Sequence, residues 1–345
     1  MNQSLNKIAV NVELMTNTPS TLSPSLLSEL LDLVRQRCGL GLKKDISAVS
    51  KRLTALPEGW HPNGDDTAAI PLGDNAENGY QLLAIEGMQG KFVTEQPWFA
   101  GWCSVMVNCS DIAAMGGRPI AVVDAVWCNG DSKTLSELVR GMRDAAEHFG
   151  VPIVGGHSNL RASETNLAVS ILGHANRLLS SFAAQPGHKI VVAMDFRGEF
   201  EQKSLNWNAA TSSPAERMRG DLALLPMIAE KELAFACKDI SQAGMLGTLT
   251  MMLESSGCGA EVNLNDIPKP TLVPWSDWLS AFPSFGYLLT TTEEKLPELL
   301  DVFSQRNIHA AAIGEITATK QLWVAQGDER SQFYDLSENG LTGFS

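Results

Sequence analysis

Ser104-Val105-Met106-Val107-Asn108-Cys109-Ser110-Asp111-Ile112-Ala113-Ala114-Met115-Gly116-Gly117-Arg118-Pro119 reads as an apolar helix that carries Asn108 and Asp111 and then stops on two glycines. A carboxylate on so apolar a face is costly unless a cation or a hydrogen-bond donor meets it, so Asp111 calls for a partner. Upstream, Gly64-Asp65-Asp66-Thr67-Ala68-Ala69-Ile70 places adjacent acids on a turn before a strand, and adjacent acids repel unless metal or hydrogen bonds hold them. Together these segments point to a magnesium and nucleotide-phosphate site. Each has a plainer use when taken alone. Asn-Gly-Asp-Asp forms turns readily, and Asp111 serves equally as a satisfied buried acid or as a helix-terminal residue.

Two further segments bear on the site. Val151-Pro152-Ile153-Val154-Gly155-Gly156-His157-Ser158-Asn159 is a short apolar run emptying into a glycine pair. There the backbone N–H groups of Gly155 and Gly156 can approach an anion closely, with His157 facing the same phosphates. A tight turn is the simpler use of the pair. Lys238-Asp239-Ile240-Ser241-Gln242-Ala243-Gly244-Met245-Leu246-Gly247 opens a helix expected to run to about Ser256, with Asp239 suited to be its N-cap.

The order Gly-Asp-Asp-x-Ala-Ala, Asn-x-Ser-Asp-Ile-Ala-Ala-Met-Gly-Gly-x-Pro, Gly-Gly-His-Ser and Asp-Ile-Ser-x-x-Gly resembles the aminoimidazole ribonucleotide (AIR) synthetase superfamily. That superfamily includes thiamine-monophosphate kinase, selenophosphate synthetase and the hydrogenase-maturation carbamoyl dehydratase. The likeness runs from about Asp45 to Thr319. It is strongest to the AIR synthase-related subgroup, with Met194-Asp195-Phe196-Arg197-Gly198 and Phe282-Pro283-Ser284-Phe285-Gly286 as local signs. The resemblance implies a two-domain, PurM-like α+β fold. Its N-terminal ββαβαβ half forms an intersubunit β-barrel in a homodimer, and its C-terminal part is an α/β sandwich domain. It also implies a shared ATP site in which Asp65 and Asp66, Asp111 and Asp239 match motifs that hold Mg2+ on the triphosphate, and Glu86 aligns with a family glutamate.

Departures from the family pattern narrow the chemistry. The kinase's aspartate on the strand after the first motif is missing from Leu82-Leu83-Ala84-Ile85-Glu86-Gly87, its Gly-Gly-Asp is Gly-Gly-His here, and its Ser-Asp-Gly is Ser241-Gln242-Ala243. Thiamine phosphate is therefore not the expected acceptor. Selenide chemistry needs a reactive cysteine followed closely by lysine in a mobile loop. Cys38-Gly39-Leu40-Gly41-Leu42-Lys43-Lys44 has the wrong spacing, and Cys38 reads as packing. Carbamoyl dehydration, which uses a C-terminal cysteine, is not expected of a sequence ending Leu341-Thr342-Gly343-Phe344-Ser345.

The global properties agree. A length of 345 residues suggests two domains, and a net charge of −13 argues against a nucleic-acid partner. The six cysteines form no Cys-x-x-Cys pair, and neither a signal peptide nor a long apolar span is evident, so a cytoplasmic location and no membrane partner are expected. Residues 1–44 read as a polar arm followed by a helix from Pro24 with Leu26, Leu27, Leu30, Leu31 and Val34 on one face, 45–182 as the ATP-binding domain and 187–345 as the C-terminal domain. Strands are expected at 67–72, 80–86, 119–127 and 166–174, with helices near 97–115 and 132–149. Beyond a linker at 183–187, strands are expected at 189–194, 260–264, 286–291, 308–316 and 321–326, and helices near 214–231, 240–256 and 293–306.

The mechanism expected is electrostatic: ATP carries about four negative charges, which must be neutralised and aligned for attack at the terminal phosphorus. Asp65, Asp66, Asp111 and Glu86 are the metal-ligand candidates. Asp111, His157 and Asp239 are the catalytic candidates, while Asn108, Gly155, Gly156, Lys43 and Lys44 would contact the nucleotide, the two lysines from a mobile segment. The partner is a small-molecule phosphoryl acceptor, anionic if Arg217 and Arg219 clamp it. A nucleotide-binding regulatory or scaffold subunit without turnover, and a small-molecule binder that reuses the fold, are the alternative readings.

Overall fold

The computed structural model describes residues 24–50, 52–202 and 204–344. The polar arm expected over residues 1–23 lies outside them. Two compact units emerge, and neither is continuous in sequence. Unit I takes Thr54–Ser180 together with Ala210–Asp239; unit II takes the described residues up to Leu53, those of Ser181–Ala209 and those from Ile240. These units differ from the division by sequence stretches, in which 210–239 goes with the C-terminal domain and the helix after Pro24 with the N-terminal arm.

The chain enters through two helices of unit II, α1 (Pro24–Arg37) and α2 (Leu40–Ser50). Leu27, Leu30, Leu31 and Val34 bury one face of α1, as their spacing predicts.

Unit I follows with β1 (Ala68–Pro71), β2 (Tyr80–Met88), α3 (Gly90–Glu95), α4 (Pro97–Ala114), β3 (Arg118–Trp127), α5 (Ser132–Phe149), β4 (Ile153–Asn159) and β5 (Asn166–Ala175). The five strands form one sheet in the order β1-β2-β5-β3-β4, with β3–β4 parallel and the other pairs antiparallel. β5 alternates, with Leu167, Val169, Ile171 and Ala175 buried, which is the pattern of a strand covered on one face. β4 is a correction: Gly155-Gly156-His157 is part of an exposed strand, not a turn, and that strand has no alternation to reveal it.

α4 is the core of unit I, buried from Phe99 through Ala114. It packs against α5 at a close crossing made possible by glycine on both helices. A Cβ on Gly101 would lie 2.1 Å from the Leu138 carbonyl oxygen, and one on Gly141 would lie 1.9 Å from that of Trp98. α5 is capped by Asp131, whose side chain accepts from the N–H groups of Lys133 and Thr134, and it ends at Gly150 in the left-handed region. Arg219 continues that end by donating from Nε to the His148 carbonyl at 2.9 Å and from a terminal nitrogen to that of Glu147. The returning segment is held further by Glu230, which takes a bidentate pair from Arg118 at 2.6 and 2.9 Å, and by Phe235, whose carbonyl accepts from Ser180 N. These contacts explain why 210–239 belongs to this unit. The helix expected near 214–231 is two helices, Ala215–Leu222 and Leu224–Glu230.

Unit II continues with β6 (Lys189–Met194), β7 (Glu199–Phe200), β8 (Asn206–Asn208), α6 (Gly244–Ser256), β9 (Gly259–Asn263), α7 (Trp275–Leu279), β10 (Phe282–Pro283), β11 (Gly286–Thr291), α8 (Leu296–Ser304), β12 (His309–Thr317), β13 (Gln321–Gln326) and β14 (Glu329–Asp335). Its main sheet runs β14-β13-β9-β12-β6-β11, and a small sheet runs β10-β8-β7. The long strands match their expected spans closely, while β14 and the small sheet were not anticipated. α1 packs on β14, where Arg35 donates to the carbonyls of Gln332 and Phe333. Cys38 is buried at the end of α1 and burial pushes its thiol up, which suits packing rather than reactivity. The mixed α+β, two-domain character expected of the chain is thus what the structure has.

Candidate functional site

Three elements of unit I converge on an acidic centre. The loop before β1 brings Asp66, the last turn of α4 brings Asp111, and the strand Ala236–Asp239 ends on Asp239. Each of these three carboxylates offers an oxygen, and the oxygens all lie within 4.8 Å of one another. Asp111 and Asp239 are buried. Asp111 Oδ2 is buried without a hydrogen-bond partner.

Lys238 lies in the middle of this charge. Its Nζ is paired with Asp66 Oδ1, and Asp239 N donates to Asp66 Oδ2 at 3.4 Å. Burial opposes the lysine's charge, but the carboxylates of Asp66 and Asp65 outweigh it and push its pKa up. Burial also lifts the Asp66 carboxyl, against the pull of Lys238. Lys238 and Asp66 thus form a buried ion pair. Asp111 is pushed well above the usual carboxylate range, by burial first and then by the charges of Asp239, Glu86 and Asp66.

The sequence-based candidates fall into three groups. Asp66, Asp111 and Asp239 come together. Asp239 does so as the end of a strand, not as the N-cap expected: α6 begins later, at Gly244, without a side-chain cap. Asp65 and Glu86 stand beside the centre without joining it. Asp65 Oδ2 accepts from Ser180 Oγ at 2.8 Å and lies 3.2 Å from His61 Nε2, while its Oδ1 accepts from Asp66 N, so Asp65 braces the loop that carries Asp66. Glu86 is exposed on β2 and acts on Asp111 through charge.

The remaining candidates have other positions. Asn108 is fully buried and donates from Nδ2 to the carbonyls of Ser104 and Val169, at 2.7 and 3.0 Å, tying α4 to β5. His157 is exposed on β4, paired in register with Ala125, and Gly155 and Gly156 precede it on the same strand. Lys43 and Lys44 belong to α2 of unit II, a regular helix rather than a mobile loop. Arg219 is engaged on the end of α5, and Arg217 pairs with Asp221. Sequence reasoning missed Lys238. The signal for it was a lysine in Ala-Cys-Lys-Asp, a run otherwise apolar up to its acid, where a buried ammonium demands an acidic partner.

Hard oxygen donors, three to the group, with one buried oxygen left unpartnered, fit a magnesium-type cation.

Comparison with known proteins places the chain in a family. Residues 64–175 match the family model "AIR synthase related protein, N-terminal domain", and residues 185–325 match "AIR synthase related protein, C-terminal domain". An uncharacterized protein of Synechocystis sp. is 42% identical over 325 residues, covering 93% of this chain and 99% of its own length. A selenide, water dikinase of Pelobacter propionicus is 26% identical over 266 residues, 74% of this chain and 72% of that one. Among solved structures, T. maritima PurL complexed with ATP shares the fold, with a TM-score of 0.66 at 18% identity over 88% of this chain. This chain spans about half of that PurL, 50% of its length. The chain belongs to the AIR synthase related protein family.

Proposed function

We propose that the protein binds ATP with magnesium at the Asp66, Asp111 and Asp239 group and transfers the terminal phosphoryl group to a small-molecule acceptor, an amide or carbonyl oxygen being the acceptor atom. The observation that carries this reading is the convergence of three carboxylates around an unpartnered, buried Asp111 oxygen. It is supported by the similarity to a protein named a dikinase and by a fold shared with a PurL solved with ATP. Magnesium bound there supplies charge neutralisation and alignment of the triphosphate. The protein's own residues do the rest: Asp66, Asp111 and Asp239 hold the cation, the Asp65, His61 and Ser180 contacts fix the Asp66 loop, and α4 presents Asp111 from a rigid core.

A homodimer belongs to the same reading. Pairing in register puts Leu83 opposite Leu172, and Ile85 and Val123 both opposite Ser170, so Leu83, Ile85 and Val123 share the face of the five-stranded sheet turned away from α4. All three are exposed, Ile85 to 68%, and a second copy covering them would close the sheet into a barrel. The six described cysteines are buried and free, which suits a cytoplasmic location, and no described helix is long and apolar enough to cross a membrane.

Calorimetric titration of ATP with and without magnesium, followed by a screen for ADP release across amides and phosphorylated metabolites, tests the proposal. Magnesium-dependent binding and one acceptor class that accelerates ADP release are expected. Binding without any stimulated release would replace the enzyme reading with the regulatory-subunit reading, and absence of nucleotide binding would refute both.

A further inference from the structure

We propose that unit II binds a small organic anion, a carboxylate or a phosphate ester, in a cavity between α1, α2 and β14, with Lys44 as the principal cation. The site lies within unit II, so the inference does not rest on the metal-site reading. It gives a use to Lys44, which sits on a regular helix and not on the mobile nucleotide-binding loop expected from sequence.

The cavity measures about 320 Å3, at the small end of the range of ligand pockets. Arg35 of α1, Lys44 of α2, Tyr334 and Asp335 of β14, and Asn339 beyond it line the space. Which ligand suits it depends on which of these charges are already satisfied. Asp335 is turned onto its own neighbours: Oδ1 accepts from the Ser337 N–H and hydroxyl, and Oδ2 from Gln321 Nε2 and Gln332 Nε2 at 2.8 and 3.1 Å. These donors, the Ser337 hydroxyl foremost, hold its carboxyl below the usual range and fill its lone pairs. Arg35 is fixed as well. One terminal nitrogen donates to the carbonyls of Gln332 and Phe333, both at 3.1 Å, the other pairs with Asp32, and the guanidinium lies over the Phe333 ring. Lys44 differs, because among the described residues no carboxylate pairs with its ammonium. The Tyr334 hydroxyl reaches the Gly340 carbonyl only at 3.5 Å, and burial raises its phenol, so it remains a neutral donor that can turn to a ligand. An anion would therefore meet an unpaired ammonium and neutral donors, whereas a cation would find no open carboxylate.

The walls are held independently of any ligand. Arg35 ties α1 to β14, and Ser50 of α2 donates from Oγ to the Thr342 carbonyl at 3.3 Å. The tail is itself clamped by the buried Glu254 carboxylate, which accepts from the N–H groups of Leu341, Thr342 and Gly343. A cavity fixed in this way does not have to be ordered when a ligand enters. The net charge of −13 repels anions from the surface at large, so anion binding to this protein requires a local site.

The test uses the full chain in EDTA, with succinate and glycerol 3-phosphate as separate probes read by calorimetric titration. Wild type should bind at least one of them at one site per chain, and the preferred probe tells carboxylate from phosphate. Lys44→Gln should lose affinity by about tenfold or more, the scale of a hydrogen bond to a charged group, and should melt like wild type because Lys44 is exposed. Tyr334→Phe should lose about threefold or more. Lys43→Gln, on the same helix but outside the lining, should bind like wild type. Failure of wild type to bind either probe would overturn the proposal and leave a cavity holding water only. Equal losses in the Lys43 and Lys44 variants would also overturn it, since they would mark a diffuse field and not a site. Asp111→Asn should bind the anion unchanged, and a loss there would place the anion at the acidic group of unit I instead.

Discussion

Replacing Asp111 with Asn removes one formal charge from the acidic group while leaving the volume at the end of α4 unchanged. Its carboxylate oxygen lies within 4.8 Å of those of Asp66 and Asp239. At that separation and an effective dielectric constant of about 20, each pair of ionised carboxylates repels by roughly 3.5 kcal/mol. Lys238 already offsets Asp66, which leaves the charges of Asp239 and Glu86 acting on Asp111. The raised pKa of Asp111 means that a proton relieves some of this in the metal-free protein. Asp111→Asn should therefore leave the metal-free protein as stable as wild type or more stable. Cation binding should suffer in the opposite direction, since the ion draws on that same charge. A loss of at least tenfold in affinity is expected, about 1.4 kcal/mol or more. Differential scanning calorimetry in EDTA and in magnesium reads both effects: wild type should gain melting temperature from magnesium, and Asp111→Asn should gain little. A melting temperature for Asp111→Asn well below wild type in EDTA would show that Asp111 is a buried acid serving the fold. Equal magnesium stabilisation of both proteins would remove it from the cation site.

Gly101→Ala should destabilise strongly, by about 3 kcal/mol or more, because the new Cβ meets the Leu138 carbonyl at 2.1 Å and backbone cannot move aside cheaply; thermal melting checks it. Gly155→Ala should be nearly neutral in both melting and magnesium–ATP titration, since a Cβ there meets nothing within 4 Å. A loss of nucleotide affinity in that variant would restore the phosphate-contact role given to Gly155 by sequence. Ile85→Lys together with Val123→Lys should turn a dimer into a soluble monomer by light scattering, and a wild-type monomer at micromolar concentration would refute the intersubunit barrel. Glu254→Gln should cost about 3 kcal/mol and expose the chain end to proteolysis. The buried Glu254 carboxylate accepts from the N–H groups of Leu341, Thr342 and Gly343 and from the Thr342 hydroxyl, and an amide would turn a donor toward these donors. Unchanged melting and proteolysis would show that these contacts do not hold the tail.

The elements read most faithfully from sequence are those whose burial is one-sided and local. α5 announces itself by its Asp131 cap, its amphipathic face and Gly150; β5 does so by strict alternation; α4 by apolar continuity up to Gly116. β4 was hidden because every residue from Ile153 to Asn159 is exposed, so the sequence carries no burial period and only the glycine pair speaks, in favour of a turn. The membership of 210–239 in unit I was hidden for a different reason. It depends on Arg219 meeting carbonyls 71 and 72 positions away and on Glu230 meeting Arg118 112 positions away, and pairings at such separations leave no local periodicity.

The acidic group shows the same division within a single motif. Asp66 and Asp111 were legible as charges placed where charge is expensive, each demanding a partner, and a third segment supplies one for Asp66 while Asp111 Oδ2 keeps no hydrogen-bond partner. That segment was misread because Asp239 precedes a helix by a few residues, and an acid at that distance reads as a cap, whereas the chain first completes a strand and only then turns at Gly244. Once Asp239 ends a strand, alternation along Ala236–Asp239 no longer decides anything, because all four residues are buried. In such a strand a lysine cannot be a solvated surface residue. Its ammonium must find carboxylates, and the acids left unexplained elsewhere in this unit, Asp66 with Asp65 behind it, are the ones it finds. A buried lysine beside an acid in an apolar run is thus itself a pointer to a distant acidic cluster, and the number of acids left over after that pairing sets how much positive charge the site still has to acquire.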